Sequence, residues 1–284
     1  MPFHTSGAQR ASSTRRIQLL VLPLLALVLA LGTTVAAQPG PAAAATAPKV
    51  VIVVGPVEGN TARYISNAKS YAAVARSLGA RVVEIYSPNA TWSKVKSATA
   101  GANIFIYLGH GNGYPSPYGP FRPQTKDGLG LNATAGHGHN NNKYYGESII
   151  KSGLPLARNS VVILNHLCYA AGNSEPGRAN PTKSQAKTRV DYFGAGFLRA
   201  GAHGVFASGK DSIAPILREL LTTHNTMSQI FQHDPAFNGR ADFKFSSKRT
   251  PGYTAWLDPY AAGRYYHSYV GSLVLRASTV RNGR

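Results

Sequence analysis

Cys168 is the only cysteine in a chain of 284 residues, and it follows an apolar run, SVVILNHL at 160–167. A second apolar run, NIFIYL at 103–108, leads into Gly109, His110 and Gly111. Both runs read as buried strands, so a thiol and an imidazole each stand just past a strand's carboxyl end. In an open α/β sheet, ligands sit in the crevice beyond those ends. If the two strands are neighbours, Cys168 and His110 reach one rim as a nucleophile and its acid/base. The imidazole takes the thiol proton and later gives a proton to the leaving group. The backbone N–H groups of Gly111 and Cys168 are candidate donors to an oxyanion. Small residues around both positions, Gly109, Ala170, Ala171 and Gly172 among them, leave room for a substrate backbone. A lone cysteine has two other uses, an inert buried thiol or an intermolecular bridge. Composition leaves all three open; the neighbourhood is what points to chemistry.

The elements that must position this pair follow from hydrophobic pattern. KVVIVV at 49–54 is continuous and β-branched, as a strand buried on both faces of a parallel sheet requires. Residues 62–78 carry apolar side chains at helical spacing and end before Gly79, a C-cap residue. RVVEIY at 81–86 is a second strand and residues 91–98 a short helix. The runs above make the third and fourth strands. A helix at about 190–200 precedes a fifth strand, HGVFA at 203–207. Strands alternating with helices predict an α/β fold: an open, mostly parallel sheet with helices on both faces. Residues 111–145 read as one long irregular loop and 172–187 as a second, following the cysteine; loops this long in a compact domain carry function or move. Beyond residue 211 the pattern changes. Residues 213–222 form a helix, a polar stretch with Pro235, Pro251 and Pro259 follows, and 265–275 reads as an edge strand or hairpin.

The start of the chain has the parts of a signal peptide. Arg10, Arg15 and Arg16 precede a nearly unbroken apolar run at 17–31, and small residues lead up to Gln38. Pro23 and the short run favour a cleaved leader (1–37) over a membrane anchor, which implies a secreted or extracellular protein with no span in its mature form. Residues 38–48, rich in Pro and Ala, read as a disordered spacer. The α/β domain is assigned to 49–211, and 212–284 to a helix and irregular extension packed on it. Thirty Lys/Arg against eleven Asp/Glu give a formal charge of +19. That charge favours anionic surroundings such as acidic cell-envelope polymers. The cations are scattered without a long basic block, so nucleic-acid binding is not inferred.

Four residues are candidates for substrate binding: Glu175, Asp191, Asp211 and Tyr114. Glu175 and Asp191 flank the second loop and could hold a basic side chain. Asp211 could face the cleft or cap the helix that follows. Tyr114 belongs to an aromatic, Pro-stiffened stretch with Tyr118 and Phe121, which could hold ligand or act as a lid. His166 shares a strand face with Cys168 and is read as a hydrogen-bonded structural histidine. His137 and His139, with Asp127 upstream, are too few for a structural zinc site, and no metal is assigned.

At IFIYLGHG (104–111) and VVILNHLCYAAG (161–172) the chain resembles the caspase-like cysteine peptidases, whose pattern is an apolar strand ending in His-Gly and a later one ending in Cys. A third stretch, YFGAGFLRAGAHGVFA (192–207) followed by Asp211, is similar to the block that follows the nucleophile in bacterial members. The resemblance spans about residues 49–211. It implies a three-layer α/β/α domain, peptide-bond hydrolysis of a peptide or protein substrate, His110 as acid/base, Cys168 as nucleophile, Gly111 as an oxyanion donor, and no cofactor. It departs at Leu167, where family members often carry a small residue. The alternative is a catalytically inactive domain of the same fold that binds the envelope or a protein partner through its basic surface.

Overall fold

KVVIVV forms β1 (Lys49–Val54), whose last five residues are buried. It pairs in parallel with β2 (Arg81–Tyr86) on one side and β3 (Ile104–Leu108) on the other. Next to β3 lies β6 (Ser160–Asn165), then β7 (Ala202–Ser208), both parallel to it. The computed structural model describes residues 46–283; the expected signal peptide (1–37) and all but the last residues of the expected spacer lie outside them.

Side chains alternate across these strands into two apolar layers. Val50, Ile52, Ile104, Ile106, Val161 and Ile163 face α1 (Thr61–Ser77), α5 (Ala214–Thr222), α6 (Met227–His233) and α7 (Ala277–Asn282). Val51, Val53, Phe105, Tyr107, Val162 and Leu164 face α2 (Trp92–Thr99), α3 (Glu147–Gly153) and α4 (Lys183–Arg199). The fold is therefore α/β with helices on both faces, as the pattern predicts. Helix α4 starts earlier than its apolar spacing suggests, because Thr182 and Gln185 form a reciprocal capping box.

Two stretches differ from the sequence reading. The loop at 111–145 contains a hairpin, β4 (Leu129–Asn132) with β5 (Asn142–Tyr145). The region after 211 is no irregular appendage. It adds β8 (Phe243–Ser246), β9 (Thr254–Ala261) and β10 (Arg264–Gly271) to the same sheet, with β10 antiparallel to β7. The eight strands run β2-β1-β3-β6-β7-β10-β9-β8, parallel through β7 and antiparallel beyond it. Pro259, placed by the sequence reading in a polar stretch, sits in β9 opposite Tyr265 at a register shift, the kind of irregular point where a sheet tolerates proline.

In the antiparallel half, His267 on β10 is 3% exposed and stacks on Phe231 at 4.2 Å. Asp234 Oδ2 lies 3.3 Å from Nε2, and Asp258 Oδ2 3.7 Å from Nδ1. Burial works against the imidazolium, but the two carboxylates outweigh it and raise the pKa above 6.5. A value raised on folding stabilises fully below the unfolded pKa, and that contribution is lost as pH climbs through the folded one. The melting temperature is predicted to fall as pH rises above 6.5, with His267→Gln flattening the slope. Parallel melting curves for both proteins across that range would refute the assignment.

Candidate functional site

β3 pairs with β6 in the register Leu108↔Asn165, so the turns that follow them are neighbours. His110 is two residues beyond β3 and Cys168 three beyond β6. Both line one cavity of about 610 Å³ together with Gly111, Asn112, Tyr118, Tyr144, Glu175 and Pro176. The approach of the two turns is close: a Cβ on Gly111 would lie 2.0 Å from the Cys168 carbonyl oxygen. Only glycine allows it. Among the described residues, the backbone N–H groups of Gly111 and Cys168 donate to no protein carbonyl.

Strand β6 ends where His166 turns into the left-handed region, φ 62°, and Tyr169 does the same at φ 71°. These turns lift Cys168 out of the sheet while Leu167, 1% exposed, packs into the core beneath it. The residue that departs from the caspase-like pattern thus anchors the turn. Asn165 fixes the end of the strand: its amide donates to the carbonyls of Ser208 and Asp211 and its oxygen accepts from Tyr71. The His166 ring stacks on Tyr64 at 5.2 Å and meets the Asn67 amide at 3.3 Å. Burial lowers its pKa.

Glu58, which sequence reasoning did not single out, completes the arrangement. It lies in a 3-10 turn after β1, the neighbour of β3, and its Oε2 is 3.0 Å from His110 Nε2. The Glu58 N–H donates to the His139 carbonyl at 2.9 Å, so the tip of the β4–β5 hairpin positions this turn. His139 Nδ1 is in turn 2.9 Å from the Ser87 hydroxyl, while Asp127 accepts from the Tyr114 N–H. With Nε2 engaged by Glu58, Nδ1 of His110 is the nitrogen left for a proton donor.

Cys168 is half-buried and makes no hydrogen bond among the described residues. Desolvation, then the charge of Glu175, push its thiol up to about 11. Glu175 accepts from the Tyr118 hydroxyl at 2.7 Å and pairs with Arg178 at 3.9 Å. The other three candidates stand apart from this cavity. Asp191 is 5% exposed and accepts from the Ser247 hydroxyl and from the N–H groups of Lys248 and Arg249, bracing the turn between β8 and β9. Asp211 is exposed and borders a different cavity with Tyr260 and His267. It does not cap α5, where the Ser212 hydroxyl meets the Ala214 N–H instead. Tyr114 packs its ring on Phe121 and Tyr192 at 5.6 and 5.1 Å.

No protein-family model and no curated protein matches this chain. Among solved structures, it is similar to the Arg-specific cysteine proteinase gingipain R, with 15% identity and a TM-score of 0.35, over 64% of this chain and 39% of that one. A complex of the pro- and mature domains of RgpB from Porphyromonas gingivalis matches with 16% identity and a TM-score of 0.33, over the same shares. The chain thus corresponds to well under half the length of those proteins.

Tyr107 ties the His110 turn to the hairpin. Its buried hydroxyl donates to the Gly130 carbonyl at 2.7 Å, accepts from the Gly130 N–H at 2.9 Å and lies 3.2 Å from the His110 carbonyl. Gly109 leaves it room, since a Cβ there would lie 2.1 Å from that oxygen. Tyr107→Phe strands these backbone groups and is predicted to cost about 1–3 kcal/mol, read from urea denaturation. A stability unchanged from wild type would contradict the role given to the hydroxyl.

Proposed function

We propose that this protein is a caspase-like cysteine peptidase that hydrolyses peptide bonds through Cys168 and His110, oriented by Glu58. The observation that carries the reading is that adjacent parallel strands, β3 and β6, bring an imidazole held by a carboxylate and a thiol to the wall of one cavity. The leader read at 1–37 suggests that it acts outside the cell.

Resting Cys168 is overwhelmingly protonated at neutral pH: with its pKa at about 11, the thiolate is roughly one part in ten thousand at pH 7. The thiol therefore attacks with His110 as general base rather than from a standing ion pair. Substrate brings the two together, since such hydrogen bonds often tighten only when substrate is bound. Sγ bonds to the carbonyl carbon as His110 Nδ1 takes the thiol proton, and Glu58 at Nε2 stabilises the imidazolium. The N–H groups of Gly111 and Cys168 receive the oxyanion. Collapse breaks the C–N bond, with His110 protonating the departing amine. A water, deprotonated by His110, then opens the thioester and frees Cys168.

The test is cleavage of a mixed peptide library followed by mass spectrometry. Cys168→Ala is expected to abolish cleavage, and His110→Ala to slow it by about 10²–10⁴-fold. Cleavage that survives Cys168→Ala would overturn the proposal. So would a Cys168 that iodoacetamide reaches only after unfolding, the outcome that favours a non-catalytic, envelope-binding domain. Glu175→Gln removes a negative charge beside the thiol. Its iodoacetamide alkylation profile is predicted to shift to lower pH than that of the wild type, because the Glu175 charge is one cause of the raised thiol pKa; an unmoved profile would remove Glu175 from the electrostatics of the site.

A further inference from the structure

Arg189 on α4 is 5% exposed, yet among the described residues it forms no ion pair. Its Nε donates to the Pro115 carbonyl at 2.9 Å. Its Nη1 donates to the carbonyls of Gly172 and Asn173 and to the Ser174 hydroxyl, at 3.3, 2.9 and 3.1 Å. One face of the guanidinium lies on the Tyr169 ring, 4.8 Å from its centre. Nη2 makes no hydrogen bond among the described residues, and it is not sealed in the interior. Arg189 lines a cavity of about 500 Å³ together with Pro115, Pro117, Tyr169, Arg178 and Gln185. We propose that this cavity binds the oxyanion group, phosphate or carboxylate, of a small ligand. Neither His110 nor Cys168 lines it.

Three positive groups surround this cavity, and no carboxylate lines it. Arg189 and Arg178 belong to its wall. Lys126, 2% exposed, stands behind it and donates to the Ser116 hydroxyl of the wall at 2.7 Å. Lys126 too forms no ion pair among the described residues. Glu175, the acid whose charge bears on Arg189, lines the cavity of His110 instead and is engaged there by the Tyr118 hydroxyl and Arg178. Burial pushes the pKa of Arg189 down, and that of Lys126 as well. Backbone carbonyls satisfy the donors of a buried guanidinium without cancelling its charge. An oxyanion at Nη2 does both, through a charge-assisted hydrogen bond to a planar group whose fork matches phosphate and carboxylate. The rings of Pro115 and Pro117 give the body of an organic anion an apolar wall, and the volume is in the range of small-ligand sites. Arg178 belongs to the loop after Cys168 and Arg189 to α4, so an oxyanion between them ties that loop to the helix.

The experiment is isothermal titration calorimetry with inorganic phosphate and with benzoate, at constant ionic strength in chloride. At least one of the two is expected to bind at a single site with a Kd of about 1 mM or tighter. The tighter of them distinguishes a phosphoryl group from a carboxylate on an apolar body. Gln185→Glu adds a negative charge to the cavity wall and keeps the capping box with Thr182, since glutamate serves in that motif as glutamine does. It is expected to weaken binding at least tenfold, and Arg178→Gln severalfold. Thr188→Glu makes the same charge change on a part of α4 that lines another cavity, and should leave binding unchanged. Absence of saturable binding by either anion overturns the site. Binding that survives Gln185→Glu, or that Thr188→Glu weakens equally, overturns it too, as diffuse attraction to a cationic protein.

Discussion

The lateral register of β3 against β6 is the constraint on which the rest depends. Both strands are buried along their whole length and apolar on both faces, so alternation of polar and apolar residues cannot fix their alignment. Polar groups at the two ends do. At the start, the Asn103 side chain accepts from the Lys49 N–H and donates to the Val280 carbonyl. At the other end, Asn165 is bound to Tyr71, Ser208 and Asp211. A slip of one residue, about 3.3 Å, would drive these amides into apolar layers with their hydrogen bonds unmade. The same slip would carry Cys168 and His110 away from the cavity that both line.

Around that register the site is assembled from carboxyl ends of consecutive strands in the sheet. β1 delivers Glu58, β3 delivers His110 and β6 delivers Cys168. Each turn is braced by a different group: the hairpin tip for Glu58, the Tyr107 hydroxyl for His110, and the buried Leu167 for Cys168.

The parallel half of the sheet was legible in the sequence because most of its strands are continuous apolar runs, β-branched in β1 and β6, set between stretches of helical spacing. That His110 and Cys168 come to line one cavity was legible for the same reason: it needs only strand ends and the rule that ligands gather there. Glu58 was not, because its side chain reaches His110 through a backbone at φ 43° that is bonded to His139, in a hairpin far along the chain, a contact without local signature. Asp191 misled because a buried carboxylate is as useful to a neighbouring turn as to a ligand. Of the antiparallel strands, β10 coincides with the run at 265–275 read as an edge strand or hairpin, whereas β8 and β9 were missed, β8 for its four-residue length and β9 for its proline at 259.

The seam between β7 and β10 bears on how the protein is made. β7 sits mid-sheet only because β10 covers its outer side, and the amide at the head of β3 binds a carbonyl 177 residues further along. During synthesis, the parallel strands emerge with that flank of β7 bare, an edge able to recruit a strand from any other unfinished chain. Productive folding must therefore wait until nearly all of the polypeptide is available, and contacts of such long range form slowly.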